Sequence, residues 1–124
     1  MTRHKILVVE DEPILAFDIE TTLEDMGHET VGPVGRLSEA AALIDEKQFD
    51  CAILDVNILG GHITSLAESL LDRGVPILLA TGYDNFALSE RLMQLPRLHK
   101  PYSSEELQTE VRRLCDRTEA RAAE

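Results

Sequence analysis

Three stretches of the chain are apolar almost without interruption: Ile6–Val9, Cys51–Leu54 and Val75–Ala80, the last carrying Pro76. A strand wetted on one face alternates apolar and polar residues. The absence of alternation predicts strands covered on both faces, as in a parallel sheet. Thr30-Val31 and Arg97-Leu98-His99 are shorter candidates for two more strands. Between these runs, apolar residues fall three and four apart, the period of a helix with one buried stripe. Leu15, Ile19, Leu23 and Met26 form the first stripe, with Gly27 placed to end it. Ser38 is placed to cap a second helix carrying Ala41, Leu43 and Ile44. Leu66, Leu70 and Leu71 mark a third, ended by Gly74, and Phe86, Leu88, Leu92, Met93 and Leu95 a fourth, stopped by Pro96. The fifth opens on a capping box, Ser103 with Glu106, and buries Leu107, Val111, Leu114 and Cys115. From Thr118 the pattern fades, so residues 1–117 are expected to form one domain and residues 118–124 a frayed C-terminal tail. Five strand–helix units joined by right-handed crossovers give an α/β fold, a parallel sheet with helices on both faces.

Bulk properties narrow this picture without redirecting it. A chain of 124 residues buries roughly two-thirds of the surface exposed when unfolded, enough for a core without staples. Met1–Lys5 is basic, but Ile6–Val9 is too short for a signal sequence and runs into Glu10, and no run approaches membrane-spanning length. The expected location is cytoplasmic, with no membrane partner. A net charge of −11 argues against a nucleic-acid partner, which would draw on clustered Lys and Arg. Cys51 and Cys115 read as small core residues. His4, His28, His62 and His99 lack ligand spacing and read as surface or loop residues.

The chemistry lies where the strands stop. In open α/β sheets, ligands bind outside the carboxyl ends of the strands. Here the first strand ends in Glu10-Asp11-Glu12, the third in Asp55, the fourth in Thr81 and the fifth in Lys100, followed by Pro101. Taken singly, each has a plain structural role: helix-dipole complement, turn cap, strand-to-helix turn, solvated lysine. Taken together at one edge, they suit phosphoryl transfer to a carboxylate. Three crowded carboxylates need a cation among them, and hard oxygen ligands suit Mg²⁺. A hydroxyl and an ammonium would hold the remaining phosphoryl oxygens.

The runs Ile6-Leu-Val-Val-Glu-Asp-Glu-Pro13, Leu54-Asp55-Val56-Asn57, Ala80-Thr81-Gly82-Tyr83 and His99-Lys100-Pro101-Tyr102 resemble the receiver domains of two-component response regulators over nearly the whole chain. The resemblance implies a flavodoxin-like, doubly wound, five-stranded parallel sheet with strand order 2-1-3-4-5. It implies Asp55 as phosphoacceptor, and Mg²⁺ (or Mn²⁺) held by Glu10, Asp11, Asp55 and the backbone carbonyl of Asn57. Thr81 would bond and report the phosphoryl group, Lys100 would pair with it, and a cis bond would precede Pro101. The donor would be a sensor histidine kinase or phosphotransfer protein. The protein would be no enzyme in the ordinary sense, but a phosphoacceptor that catalyses its own phosphorylation and dephosphorylation. Its output would be contact with a downstream protein, or service as a phosphate sink. Leu79-Ala80-Thr81-Gly82-Tyr83 further resembles the strand-four motif of stand-alone receivers called the FATGUY class, with Leu79 in place of the leading Phe.

Two departures from the family pattern bear on the switch. Leu59-Gly60-Gly61 follows Asp55 where receivers usually carry Pro, which predicts a more flexible loop. Arg97 stands three residues before Lys100, where many receivers place an inward-swinging aromatic, leaving Tyr83 as a candidate gate. Two other functions would use the same residues: a phosphatase passing through an aspartyl phosphate, and a pseudo-receiver that binds partners without phosphate. Asn57 stands where such phosphatases place an acid, and the full acidic, Thr and Lys set argues against the pseudo-receiver.

Overall fold

The uninterrupted apolar runs become the middle of a parallel sheet. The computed structural model describes residues 3–58, 61–82 and 88–123. In chain order these form β1 (Lys5–Val9), α1 (Pro13–Asp25), β2 (Glu29–Val34), α2 (Leu37–Glu46) and β3 (Cys51–Asp55). A short hairpin of β4 (Asn57–Ile58) and β5 (Gly61–His62) follows, then α3 (Thr64–Asp72), β6 (Ile77–Thr81), α4 (Glu90–Met93), β7 (Arg97–His99) and α5 (Ser104–Ala122). The main sheet runs β2-β1-β3-β6-β7 with every pair parallel, which is the order 2-1-3-4-5 once the hairpin is set aside. Among the described residues, no helix is long and apolar enough to cross a membrane.

Alternate residues of each central strand serve two different cores. Leu7, Val9, Ala52, Leu54, Ile77 and Leu79 pack with Ala40, Ile44, Ala67, Leu70 and Leu92 of α2, α3 and α4. Ile6, Val8, Cys51, Ile53, Leu78 and Leu98 pack with α1 and α5. With apolar partners on both sides, neither parity can be polar, which is why the strands read as unbroken runs. The capping box of α5 is present in both directions at 3.0 Å.

Elsewhere the structure departs from the sequence pattern for identifiable reasons. β2 reaches from Glu29 to Val34, well beyond Thr30-Val31. It is an edge strand, so Pro33 costs little there. Gly32 takes φ 96° where the register with β1 slips, and a Cβ on it would lie 2.9 Å from the Val8 carbonyl. β6 begins at Ile77, not Val75, because Pro76 has no N–H to give the ladder; its carbonyl still accepts from Ala52 N at 3.0 Å. α2 starts at Leu37, so Ser38 lies inside the first turn and caps nothing, and Ala40 is buried where Ala41 was expected. The predicted fourth helix shrinks to Glu90–Met93, capped by Ser89, with Leu92 buried and Met93 exposed; Phe86 lies outside the described residues. Among the described residues of that stretch, Leu88, Leu92 and Leu95 pack on the core whereas Met93 points away from it.

The loop after β3 is tied at its flanks. Asn57 pairs with His62 and Ile58 with Gly61, while Ile58 and Ile63 are buried; Leu59 and Gly60 lie outside the described residues. The frayed tail also gives way to helix, since α5 continues to Ala122. Polar contacts hold that stretch: Thr118 is buried with its hydroxyl donating to the Leu114 carbonyl at 2.7 Å, and Arg117 and Arg121 donate to the carbonyls of Ile77 and Arg73. An apolar stripe carries no trace of such bonds.

Two of the four histidines are core residues and not surface ones. His4 and His28 are buried with their rings stacked at 5.5 Å. The His4 backbone N–H donates to His28 Nδ1 at 3.2 Å, which leaves the His28 proton on Nε2, 3.5 Å from Cys115 Sγ. Burial holds the His28 pKa below the ordinary 6.5, the neighbouring His4 adds to this, and Glu119 opposes it. A depressed histidine pKa favours the neutral ring in the folded state, so its stabilising effect is whole above pH 6.5 and is lost as pH falls below that value. In urea titrations, the stability gap between wild type and His28→Asn should therefore narrow from pH 7.5 to 5.5. A gap that stays constant or widens would contradict this account.

Candidate functional site

β1 and β3 are register neighbours, with Val9 beside Leu54, so Glu10 and Asp55 emerge together at their carboxyl ends. The Glu10 N–H bonds the Val34 carbonyl at 2.9 Å, which keeps the residue in line with the strand and its side chain inside. Glu10 and Asp55 are 3% and 4% exposed, far drier than carboxylates ordinarily are. Asp11 stands beside them, and Glu10, Asp11 and Asp55 each offer an oxygen within 4.8 Å of the others. The loop after β2 packs against this turn through Gly35, where a Cβ would lie 3.1 Å from the Asp11 Cα.

Lys100 supplies the compensating charge. Its backbone N–H donates to the Thr81 carbonyl at 2.7 Å, extending the pairing of β6 with β7 and aiming the side chain inward. Its Nζ lies 2.7 Å from Glu10 Oε1 and 3.0 Å from Asp55 Oδ2. The other Asp55 oxygen accepts from the Asn57 N–H at 3.1 Å, and Glu10 Oε2 accepts from the Glu12 N–H at 3.2 Å. The Lys100–Pro101 bond is cis.

Crowding is visible in the acid–base behaviour. Burial, followed by the hydrogen bond with Asp55, pushes the Glu10 carboxyl up to about 7, although Lys100 pulls the other way. Burial works against the Lys100 charge, but the bonds to Glu10 and Asp55 outweigh it and hold its pKa above the ordinary value. Burial, and then the Glu10 charge, push the Tyr102 hydroxyl up to about 12. Such a site has more negative charge than one ammonium can balance. Its hard oxygen donors fit a small divalent cation, Mg²⁺ above all.

Of the residues singled out from sequence, the structure brings Glu10, Asp11, Asp55 and Lys100 into one cluster. Asn57 sits beside it on β4, and Thr81 is fully buried one position beyond Ala80, the register partner of Asp55. Tyr83 lies outside the described residues. Two features went unforeseen. The Thr81 hydroxyl lies 3.2 Å from Nδ1 of His99, dismissed from sequence as a surface histidine. The contact follows from the register that sets His99 level with Thr81 on the neighbouring strand, which no local pattern in the sequence encodes. Ile14 and Phe17, one turn apart on α1, are 72% and 66% exposed, outside the stripe that alone was traced.

Comparison with known proteins finds a match to the family model "Response regulator receiver domain" over residues 6–112. The phyllosphere-induced regulator PhyR of Methylorubrum extorquens is 29% identical over 79% of this chain and 38% of its own length. The two-component response regulator PhoP of Pseudomonas aeruginosa is 31% identical over 92% of this chain and 52% of its own. The chain thus spans about half or less of these curated relatives. The solution structure of SdrG from Sphingomonas melonis aligns with a TM-score of 0.80 and 34% identity, covering 93% of this chain and 99% of that one.

The raised Glu10 pKa has a consequence for stability. An acid whose folded pKa exceeds its unfolded one favours the protonated state, so stability present below pH 4.5 is lost as pH rises through about 7. Without divalent cations, Glu10→Gln should raise the thermal midpoint relative to wild type at pH 8 and give a smaller advantage at pH 5. A variant less stable than wild type at pH 8 in chelator would show that the Lys100 pair outweighs the crowding.

Proposed function

The chain belongs to the response regulator receiver family, and on that footing we propose that it accepts a phosphoryl group on Asp55 from a sensor histidine kinase or phosphotransfer protein, in a Mg²⁺-dependent reaction. The observation that carries the reading is the Asp55 carboxylate, buried yet held at the sheet edge between Lys100 and two further acids. An Asp55 oxygen attacks phosphorus in line, a P–O bond forms, and the bond from phosphorus to the donor histidine nitrogen breaks with its electron pair going to the ring. The Asn57 N–H on Oδ1 fixes the carboxylate plane, leaving Oδ2 on the Lys100 side to attack. Lys100 then follows the charge from Oδ2 to a phosphoryl oxygen, and the Thr81 hydroxyl donates to another. Bound Mg²⁺ (or Mn²⁺), held by Glu10, Asp11, Asp55 and the Asn57 carbonyl, would neutralise charge on the phosphoryl oxygens.

Donor docking has a matching surface. Ile14 and Phe17 open α1 just after Glu10-Asp11-Glu12, so an apolar patch flanks the acidic edge. Such exposed apolar residues at the rim of a polar site suit a transient protein contact. Signalling then runs through a second protein contact, or the chain serves as a phosphate sink.

With Mg²⁺ and acetyl phosphate, the protein should gain one phosphoryl group that hydroxylamine removes and Asp55→Asn abolishes. Lys100→Met should slow its formation on the order of a hundredfold, the usual cost of one missing charge-stabilising donor. Label that persists in Asp55→Asn would disprove Asp55 as acceptor. Mg²⁺ should also raise the unfolding free energy, by about 2.7 kcal/mol at a hundredfold excess over its dissociation constant. Asp11→Asn should lose most of that gain; an undiminished gain would put the cation elsewhere.

A further inference from the structure

The geometry points to His99 as the residue that carries the state of Thr81 out of the site, in the absence of an aromatic side chain at position 97. The inference rests on Asp55 as phosphoacceptor and adds the route of readout. Arg97 cannot serve as that route, because its guanidinium donates to the Met93 carbonyl at 3.1 Å and closes the end of α4. His99 lies level with Thr81 on the neighbouring strand, and its Nδ1 is 3.2 Å from the Thr81 hydroxyl.

A hydroxyl has one proton to give. Thr81 is fully buried, and among the described residues its hydroxyl bonds to His99 Nδ1 and to no other side chain. We take the tautomer with the His99 proton on Nε2, in which Nδ1 accepts the Thr81 proton. A phosphoryl oxygen on Asp55 competes for that same single proton, as the stronger, charged acceptor. The two bonds exclude each other. Phosphorylation therefore frees the His99 ring, and dephosphorylation takes it back.

The freed ring has a place to act. His99 is exposed and lines a cleft of about 350 Å³ between β7 and the start of α5, with Arg97, Ser103, Glu106, Thr109 and Glu110. The same residue thus meets the Thr81 hydroxyl through Nδ1 and belongs to the lining of this surface cleft, which joins the buried site to the outside. Loss of the Thr81 bond changes which polar groups the cleft offers a partner. His99 is a positioning residue here, acting through Thr81 and never on the phosphoryl group.

The test is NMR of the full chain with labelled histidine, before and after Mg²⁺ and acetyl phosphate, with the acyl phosphate followed by mass. In wild type, the His99 Nδ1 signal should move from a hydrogen-bonded acceptor to a free one on phosphorylation, and amides of Ser103–Glu110 should shift. His99→Leu should be phosphorylated to the wild-type level but lose the Ser103–Glu110 shifts, and His99→Asn, which keeps an acceptor near Nδ1, should recover them. Acyl phosphate with an unchanged Nδ1 signal, or cleft shifts that persist in His99→Leu, would overturn the inference while leaving Asp55 as acceptor. Failure of wild type to form any acyl phosphate would remove the acceptor reading, and this coupling with it.

Discussion

Carboxylates buried side by side repel one another and lose their water, and the cost falls only when a cation sits among them. That constraint shapes the edge of this sheet. Glu10 and Asp55 are nearly dry, and the Lys100 ammonium reaches both at 3.0 Å or less. One ammonium cannot balance three acids, and Glu10, raised first by burial and then by its bond with Asp55, keeps a high pKa despite Lys100. The cluster's hard oxygen donors therefore fit a further positive charge, and the proposed phosphoryl group on Asp55 would alter that balance.

Everything behind the edge serves to hold these groups close. Parallel pairing brings the ends of β1, β3, β6 and β7 to one side, and a core on each face fixes the strands against sliding. A one-residue slip of β3 would exchange Ile53 with Leu54 between the cores and carry Asp55 away from Lys100. Gly35 lets the loop after β2 lie against Asp11, and the Lys100 N–H bond to Thr81 delivers the ammonium. The same pairing of β6 with β7 sets His99 against the Thr81 hydroxyl, so the scaffold that assembles the acidic cluster also links it to the outer cleft.

The sequence by itself determined the architecture and most of the polar cluster at the sheet's edge. Uninterrupted apolar runs point to strands covered twice, stripes at helical spacing point to helices covered once, and their alternation leaves few topologies. Strand ends then located Glu10, Asp11, Asp55, Thr81 and Lys100, because polar residues that close neighbouring parallel strands gather at the sheet's carboxyl edge. What only the tertiary structure decided depends on partners distant in the chain. The burial of His4 and His28 needs Cys115 and Glu119 beside them, 87 residues beyond His28 in the case of Cys115. The helix past Thr118 rests on carbonyls of Arg73 and Ile77. The bond from Thr81 to His99 exists only once β6 and β7 lie in register. Hydrophobic period is written locally, residue by residue, whereas a hydrogen bond or a buried charge belongs to two places in the chain at once and takes form only when folding joins them.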